Sequence, residues 1–424
     1  MRNHLLRKAI DVGWPTSRHR LYQALTTVLR LFATLMVLPL VAIGRLLRPI
    51  CFVRVGFFTA DRIGHFVFDV EYYLTEQVLK PCQHKTIDLF YFEGEPANTK
   101  LASMVRGVVT VNPLVRFLYS ANQLLPASKA QQVLPARHKT DSRDMEGLLH
   151  TAPTQLSFSE SDDERGYQYL SSVGFEKGEK FVCLVARDSR YLKQVHAERN
   201  WSYHDFRDTN IQDYKQAALA LAKQGYWVFR MGKAVDESFE TDHPHVIDYA
   251  NTTGRSDFLD LWLMANCFFA ISTGLGLDSV ADVFRRPIVF VNYVPLMDLE
   301  AWGPYITVPK KLAWTATNRP LSLSEQVKHT SLNGHYYRDN GISVHDMKPD
   351  EITDVVLEME MRLAGTFTTN QNVEKLNQCF WNELRGFPEF QKYHGWIHPS
   401  ARLGTSYLNE SKDWFFSKES NDSE

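Results

Sequence analysis

Between residues 180 and 292, short runs rich in β-branched and aromatic residues alternate with longer runs of helical periodicity, and no other feature of the chain restricts its fold as strongly. Such alternation is the mark of βα units laid side by side in a parallel sheet. "KFVCLVARD" predicts a strand ending at Arg187-Asp188. "IQDYKQAALALAKQG" predicts a helix with Tyr214, Ala217, Ala218 and Leu221 on one face and Gly225 at its close. "YWVFRMG" and "HVIDYA" read as strands, and "SDFLDLWLMANC" as a helix that Ser256 caps. "FFAISTGLGLDSVADVFRRPIVFVN", residues 268–292, then reads as strand, turn, helix and strand.

Right-handed crossovers bring the carboxyl ends of parallel strands to one edge, where ligands bind. Arg187, Asp188, Arg230, Lys233, Asn251, Ser272, Thr273 and Asn292 fall at that edge. The turn Ser272-Thr273-Gly274-Leu275-Gly276 leads into a helix, which makes it a candidate phosphate cradle. Gly274 and Gly276 would let the backbone approach the ligand, and Ser272, Thr273 and Ser279 would add hydroxyls. Asp278 would face sugar or ribose hydroxyls. The competing reading is that the glycines merely shape a tight connection.

The N-terminal half holds a second, smaller α/β pattern. "CFVRVGFF" is a strand, "TADRIGHF" a turn carrying Gly64-His65, and "VFDVEYYLTEQVLK" a helix; "IDLFYF" and "GVVTVN" are further strands. Residues 125–165 are polar and read as a linker, its acidic "SDDE" solvated. "KPDEITDVVLEMEMRLAG" begins a C-terminal helical region. The expected divisions are 1–48, 49–170 with the linker, 171–345, and 346–424.

Charge separates the chain unevenly. Residues 1–48 carry eight Lys/Arg against one Asp, which leaves the remainder near −9 and argues against a nucleic-acid partner. "LFATLMVLPLVAIG", Leu31–Gly44, is an uncharged run of 14 residues between Arg30 and Arg45, short of the ~20 residues that span a bilayer. Basic flanks on both sides suit a membrane-associated apolar or amphipathic helix, peripheral or monotopic, with both ends on the cytoplasmic side; the alternative is a core helix of the N-terminal domain. The five cysteines are widely spaced, as in a reducing compartment.

"RIGH", "VARDSRYLK", "FRDTNIQDY", "YWVFRMGK", the stretch from Asp248 to Asn292, and "NGISVHDMKPDEITDVVLEMEMRL" together resemble a bacterial family of glycosyltransferases associated with surface polysaccharide and lipopolysaccharide synthesis. The strand-turn-helix is also similar to the donor turn of the heptosyltransferases. The resemblance implies an α/β fold of the GT-B type: two Rossmann-like domains facing across a cleft, nucleotide-sugar in the C-terminal one, a glycan or lipid-linked acceptor against the other, and no metal or other cofactor. One departure stands out. The family's strand often ends His-Val-Arg-Asp, whereas Val185 and Ala186 precede Arg187 here.

Sugar transfer needs cationic support for a departing diphosphate and a base for the acceptor hydroxyl. Arg187 with the turn is expected to supply the first, with Arg230, Lys233 and Arg255 in reserve. His65 is the leading base, ahead of Asp61, Asp69 and Asp188. A non-catalytic membrane scaffold of the same fold is the rival reading. A dinucleotide oxidoreductase is disfavoured, because "GFFTADRIGHF" and "VARDSRYLK" lack a Gly-x-Gly-x-x-Gly turn.

Overall fold

The computed structural model describes residues 17–82, 84–187, 206–235 and 237–417. Asp188 lies outside them. Along the first third of the chain run α1 (Ser17–Met36), α2 (Leu38–Leu46), β1 (Phe52–Thr59), α3 (Ile63–Leu79), β2 (Thr86–Glu93), β3 (Thr110–Val111), α4 (Val115–Gln123) and β4 (Gln132–Val133). The chain divides into two compact units: residues 1–58, 82–93 and 106–135 form the first, and 59–81, 94–105 and 136–424 the second. The boundary expected at 170/171 thus falls inside the second unit, which also takes in α3.

The first unit is built on a four-stranded sheet in the order β3-β2-β1-β4, with β1 parallel to β4 and β2 parallel to β3. Val55, Phe57 and Tyr91 from the sheet pack with Val115 and Tyr119 of α4. Gly56 is required by close packing, since a Cβ there would sit 2.6 Å from the Val133 carbonyl oxygen. Both α1 and α2 pack on α4. Arg45 ties α2 down, with Nη2 donating to Asn122 Oδ1 at 2.6 Å and Nη1 to the Pro126 carbonyl at 2.5 Å. Ala24–Leu46 is a helical run of 23 residues with mean hydropathy 2.0, long and apolar enough by length and composition to cross a membrane.

The second unit carries β5 (Phe181–Val185), β6 (Trp227–Arg230), β7 (Val246–Ile247), β8 (Phe269–Ser272), β9 (Ile288–Tyr293), β10 (Tyr305–Pro309), β11 (Lys311–Trp314), β12 (Ile342–His345) and β13 (Arg402–Leu403). Seven of these form one sheet, β13-β10-β9-β8-β5-β6-β7, parallel at every pairing. β11 and β12 pair separately and antiparallel. Every residue of β5, β8 and β9 is buried, which explains why these strands read as continuous apolar runs rather than alternating ones. The helices packed around them include α5 (Glu160–Ser172), α6 (Lys215–Lys223), α7 (Asp257–Asn266), α8 (Asp278–Val283) and α9 (Pro349–Ala364). Ser256 caps α7 as expected, its hydroxyl accepting the Leu259 N–H.

Residues 125–165 are not a solvated linker. "SDDE" opens α5, where Ser159 Oγ accepts the Asp162 N–H at 3.2 Å and the Asp162 carboxylate accepts the Ser159 N–H at 3.1 Å. Upstream, buried Asp144 accepts the N–H groups of Leu148 and Leu149 at 2.9 and 2.8 Å. The polarity that suggested a linker is used on caps.

Candidate functional site

Strand order in the large sheet reverses at β5. From there the chain runs outward through β6 and β7, then returns to β8 on the other side and continues to β9 and β10. The gap between β5 and β8 is therefore the topological switch point, where a parallel sheet opens a crevice at its carboxyl edge. Val185 pairs with Ser272, so Arg187 and the Ser272–Gly276 turn emerge side by side, and the Arg187 N–H donates to Thr273 Oγ1 at 3.0 Å.

The turn is closed by its own residues. Ser272 Oγ donates to Asp278 Oδ2 at 2.5 Å and accepts the Gly274 N–H at 3.1 Å, while Asp278 Oδ2 also accepts the Leu275 N–H at 2.7 Å. Asp278 is thus spent inside the turn and does not face a sugar; burial pushes its carboxyl up to about 6. Positive φ belongs to Gly274, at 74°. Gly276 meets the first turn of α3 instead: a Cβ on Gly276 would lie 3.2 Å from Gly64 N, and one on Gly64 would lie 2.7 Å from Gly276 Cα and 3.1 Å from Ser279 Oγ, so the tighter demand for glycine falls on Gly64. The close approach expected of a ligand is made here by α3. Gly276 itself remains exposed, with Leu275, Leu277 and Ser279 half-buried around it. Helix α8 has only six residues, so its dipole adds less than a long helix would, and cations must carry more of any anion binding.

Those cations are present. Arg187 Nε lies 3.3 Å from Asp208, and Arg207, which the sequence reading had not singled out, donates to the Gly274 carbonyl at 2.8 Å. Lys310, at the end of β10, is buried and pairs with Asp346 at 2.6 Å. Arg230 and Lys233 are engaged elsewhere. Arg230 is buried against Asp248 at 3.0 Å; Lys233 lies 3.6 Å from Asp257 and donates to the Ala97 carbonyl at 3.1 Å. Arg255 pairs with Asp260 at 2.6 Å.

The Gly64–Gly276 contact sets His65 beside the turn. Its Nδ1 is 2.8 Å from Ser142 Oγ, and Nε2 has no hydrogen-bond partner among the described residues. Burial, with the positive charges of Arg137 and Arg62, lowers its pKa to about 4, so the ring is a neutral imidazole at neutral pH. Asp69 is fully buried, accepts the Arg137 N–H at 2.8 Å, and is raised by burial to about 7. It caps the segment that follows β4. Asp61 is exposed.

The segment holding His65 escaped the sequence reading. Asp141 and Ser142 have φ of 55° and 56°, a left-handed pair of non-glycine residues. Arg143 beyond them is buried, donates to the Tyr393 carbonyl at 3.1 Å and forms an ion pair with Asp298. Asp is among the residues enriched at such φ, which is the one local hint the sequence offers. Glu300 joins the same polar cluster, its carboxyl held well above the usual range by burial and by Asp278 and Asp282.

No family model matches the chain, and no curated protein matches it in sequence. Solved structures do match. A family 9 glycosyl transferase from Veillonella parvula aligns at 12% identity, covering 61% of this chain and 85% of its own, with a TM-score of 0.38. The E. coli ADP-heptose lipopolysaccharide heptosyltransferase II gives 14%, 60%, 90% and 0.38, and E. coli heptosyltransferase WaaC with ADP gives 11%, 68%, 97% and 0.31. At TM-scores below 0.5 these likenesses carry no weight of their own, and function has to be argued from this chain's residues.

Proposed function

We propose that the protein is a glycosyltransferase of the GT-B type that moves a sugar from a nucleoside-diphosphate donor to a glycan or lipid-linked acceptor in bacterial surface polysaccharide or lipopolysaccharide synthesis. The observation that carries this reading is one juxtaposition. A switch-point crevice rimmed by Arg187, Arg207 and the Leu275–Ser279 tip has a neutral imidazole, His65, fixed beside it.

In this reading the donor's diphosphate lies along the crevice, where Arg187 and Arg207 offset the charge that builds on the leaving group. The exposed tip at Gly276 lets its backbone reach the phosphates. His65 Nε2 takes the acceptor hydroxyl's proton as the new glycosidic bond forms, and the Ser142 contact holds the ring in place. A pKa near 4 makes His65 a weak base in the free protein. Two phosphate charges arriving nearby oppose the effect of Arg137 and Arg62 and raise that basicity when donor is bound. In the same reading the basic, apolar N-terminal helices would hold the chain at the cytoplasmic face of the inner membrane.

The test is a thermal-shift panel of ADP, UDP, GDP, CMP and their sugars. Ligand at ~100 Kd adds roughly 2.7 kcal/mol to native stability, so one diphosphate should raise Tm by several degrees. Parent protein that none of them stabilises, or stabilisation that survives in Arg187→Ala, refutes the assignment of this crevice.

A further inference from the structure

The two units differ sharply in charge and surface. Residues 1–58, 82–93 and 106–135 hold thirteen Lys/Arg against three acids, whereas the chain as a whole is slightly acidic. Sixteen of the twenty-two exposed large hydrophobics among the described residues also belong to this first unit. Twelve lie between Leu25 and Ile50, and two more, Leu114 and Leu124, flank α4 with 65% and 57% of their surface exposed. Residues 17–50 and 106–135 contain no Asp or Glu at all. An apolar surface with a purely basic setting is what an anionic bilayer leaflet matches.

The geometry separates two ways of meeting that leaflet. A spanning helix must be free of the folded unit over about 30 Å of hydrocarbon. Here α1 and α2 both pack on α4, and the less exposed positions along the second half of the run, Ala33, Thr34, Val37, Leu38, Val41, Gly44 and Arg45, recur at helical spacing. Arg45 is hydrogen-bonded to Asn122, and α4 also carries Arg116 and Gln123, groups that hydrocarbon would not accept. Within the 23-residue apolar run, Thr26 and seven positions from Ala33 to Arg45 are partly or fully buried, so the run is not free of the folded unit over the length a span needs.

We infer that the first unit docks on an anionic lipid leaflet through a composite face, in which α1 and α2 lie in the membrane interface beside α4 and Leu114 and Leu124 at the ends of α4 enter the same leaflet. The N-terminal helices are then one part of a lipid-binding surface and not a tether through the bilayer. This deepens the cytoplasmic-face placement above and does not depend on what the second unit binds.

Full-length protein is mixed with vesicles of phosphatidylglycerol and phosphatidylethanolamine, or of phosphatidylcholine alone, and sedimented. Binding to the anionic vesicles is expected to exceed binding to the neutral ones and to fall with salt. Leu114→Ser/Leu124→Ser should weaken it roughly tenfold or more at unchanged Tm, because each exposed leucine loses its transfer into the interface. Arg187→Ala should bind vesicles like the parent, which keeps failure of the sugar-transfer reading distinct from failure of this one. Binding by the double variant equal to the parent's overturns the composite face. For topology, Ser17→Cys in a chain otherwise free of cysteine is expressed in bacterial cells, and spheroplasts are treated with a membrane-impermeant maleimide. Labelling only after lysis is expected, whereas labelling of intact spheroplasts means that the helix crosses and the in-plane arrangement is wrong.

Discussion

The turn of residues 272–279 and the loop of residues 141–144 hold polar groups in the same unit by opposite means. In the turn, Ser272 reaches Asp278 six positions on, and Leu275 reaches it three positions on. In the loop, Ser142 meets His65 77 positions away, and Arg143 meets Asp298 155 positions away and Tyr393 250 positions away. The inner bonds of the turn join near neighbours, with Arg187, Arg207 and Gly64 meeting it from outside; the loop exists only because α3, the segment after β9 and the C-terminal region all converge on it. Reactivity at the proposed site depends on the second kind of contact.

The largest expected effect falls where the two regions meet. His65→Ala should lower kcat by roughly 10²–10⁴-fold, the usual contribution of a positioned base, while donor Kd stays within about threefold. The comparison is donor titration against steady-state transfer with whichever nucleotide-sugar the thermal panel selects. Loss of donor binding in step with kcat would make His65 part of the turn's scaffold instead of a base.

Next come the scaffolds themselves. Arg143→Met removes a buried guanidinium and leaves Asp298 without its partner, which should cost about 3 kcal/mol in urea denaturation. Ser272→Ala removes a hydroxyl whose partners are all local, at a cost of about 1 kcal/mol. Equal costs would mean that the two regions are held in the same way after all. Gly64→Ala tests the joint between α3 and the turn. Its Cβ would meet Gly276 backbone at 2.7 Å, and backbone cannot swing aside, so about 1–3 kcal/mol should be lost. Gly276→Ala, with its nearest contact at 3.2 Å, should lose less.

What could be read in advance follows the same division. The strands from Phe181 to Asn292 were legible because burial on both faces writes an unbroken apolar run, and the α9 helix because Pro349 and Gly365 mark its ends. The turn was legible as a turn, but its inner logic was not. Gly276 looks in sequence like a residue making room for ligand, and Asp278 like one reaching for a sugar; their partners prove to be Gly64 and Ser272. Arg143 was illegible because a lone arginine in a polar stretch carries no periodicity, and its carboxylate lies far along the chain. Likewise the two left-handed residues before it follow from tertiary packing, which overrides local preference.

The smallest effect is also the sharpest on how His65 is tuned. Its low pKa follows first from burial, then from Arg137 and Arg62, and the Ser142 hydroxyl is not among the causes. Ser142→Ala should therefore leave the His65 titration midpoint near 4 while lowering kcat about three- to tenfold, as a lost orienting hydrogen bond would. Arg137→Gln should do the reverse, raising the midpoint with little change in the activity plateau. The sign follows from linkage: a histidine held below its ordinary 6.5 gives the native state stability that is complete above 6.5 and lost as pH falls toward 4. Arg137→Gln narrows that window, so its acid-side loss of stability should shrink relative to the parent. NMR titration of the imidazole nitrogens, followed in parallel with urea midpoints at pH 4 to 7, reads both quantities without any donor. If Ser142→Ala shifts the midpoint and Arg137→Gln does not, the hydroxyl and not the buried, cationic surroundings sets the state of the ring. The loop would then tune the base as well as aim it.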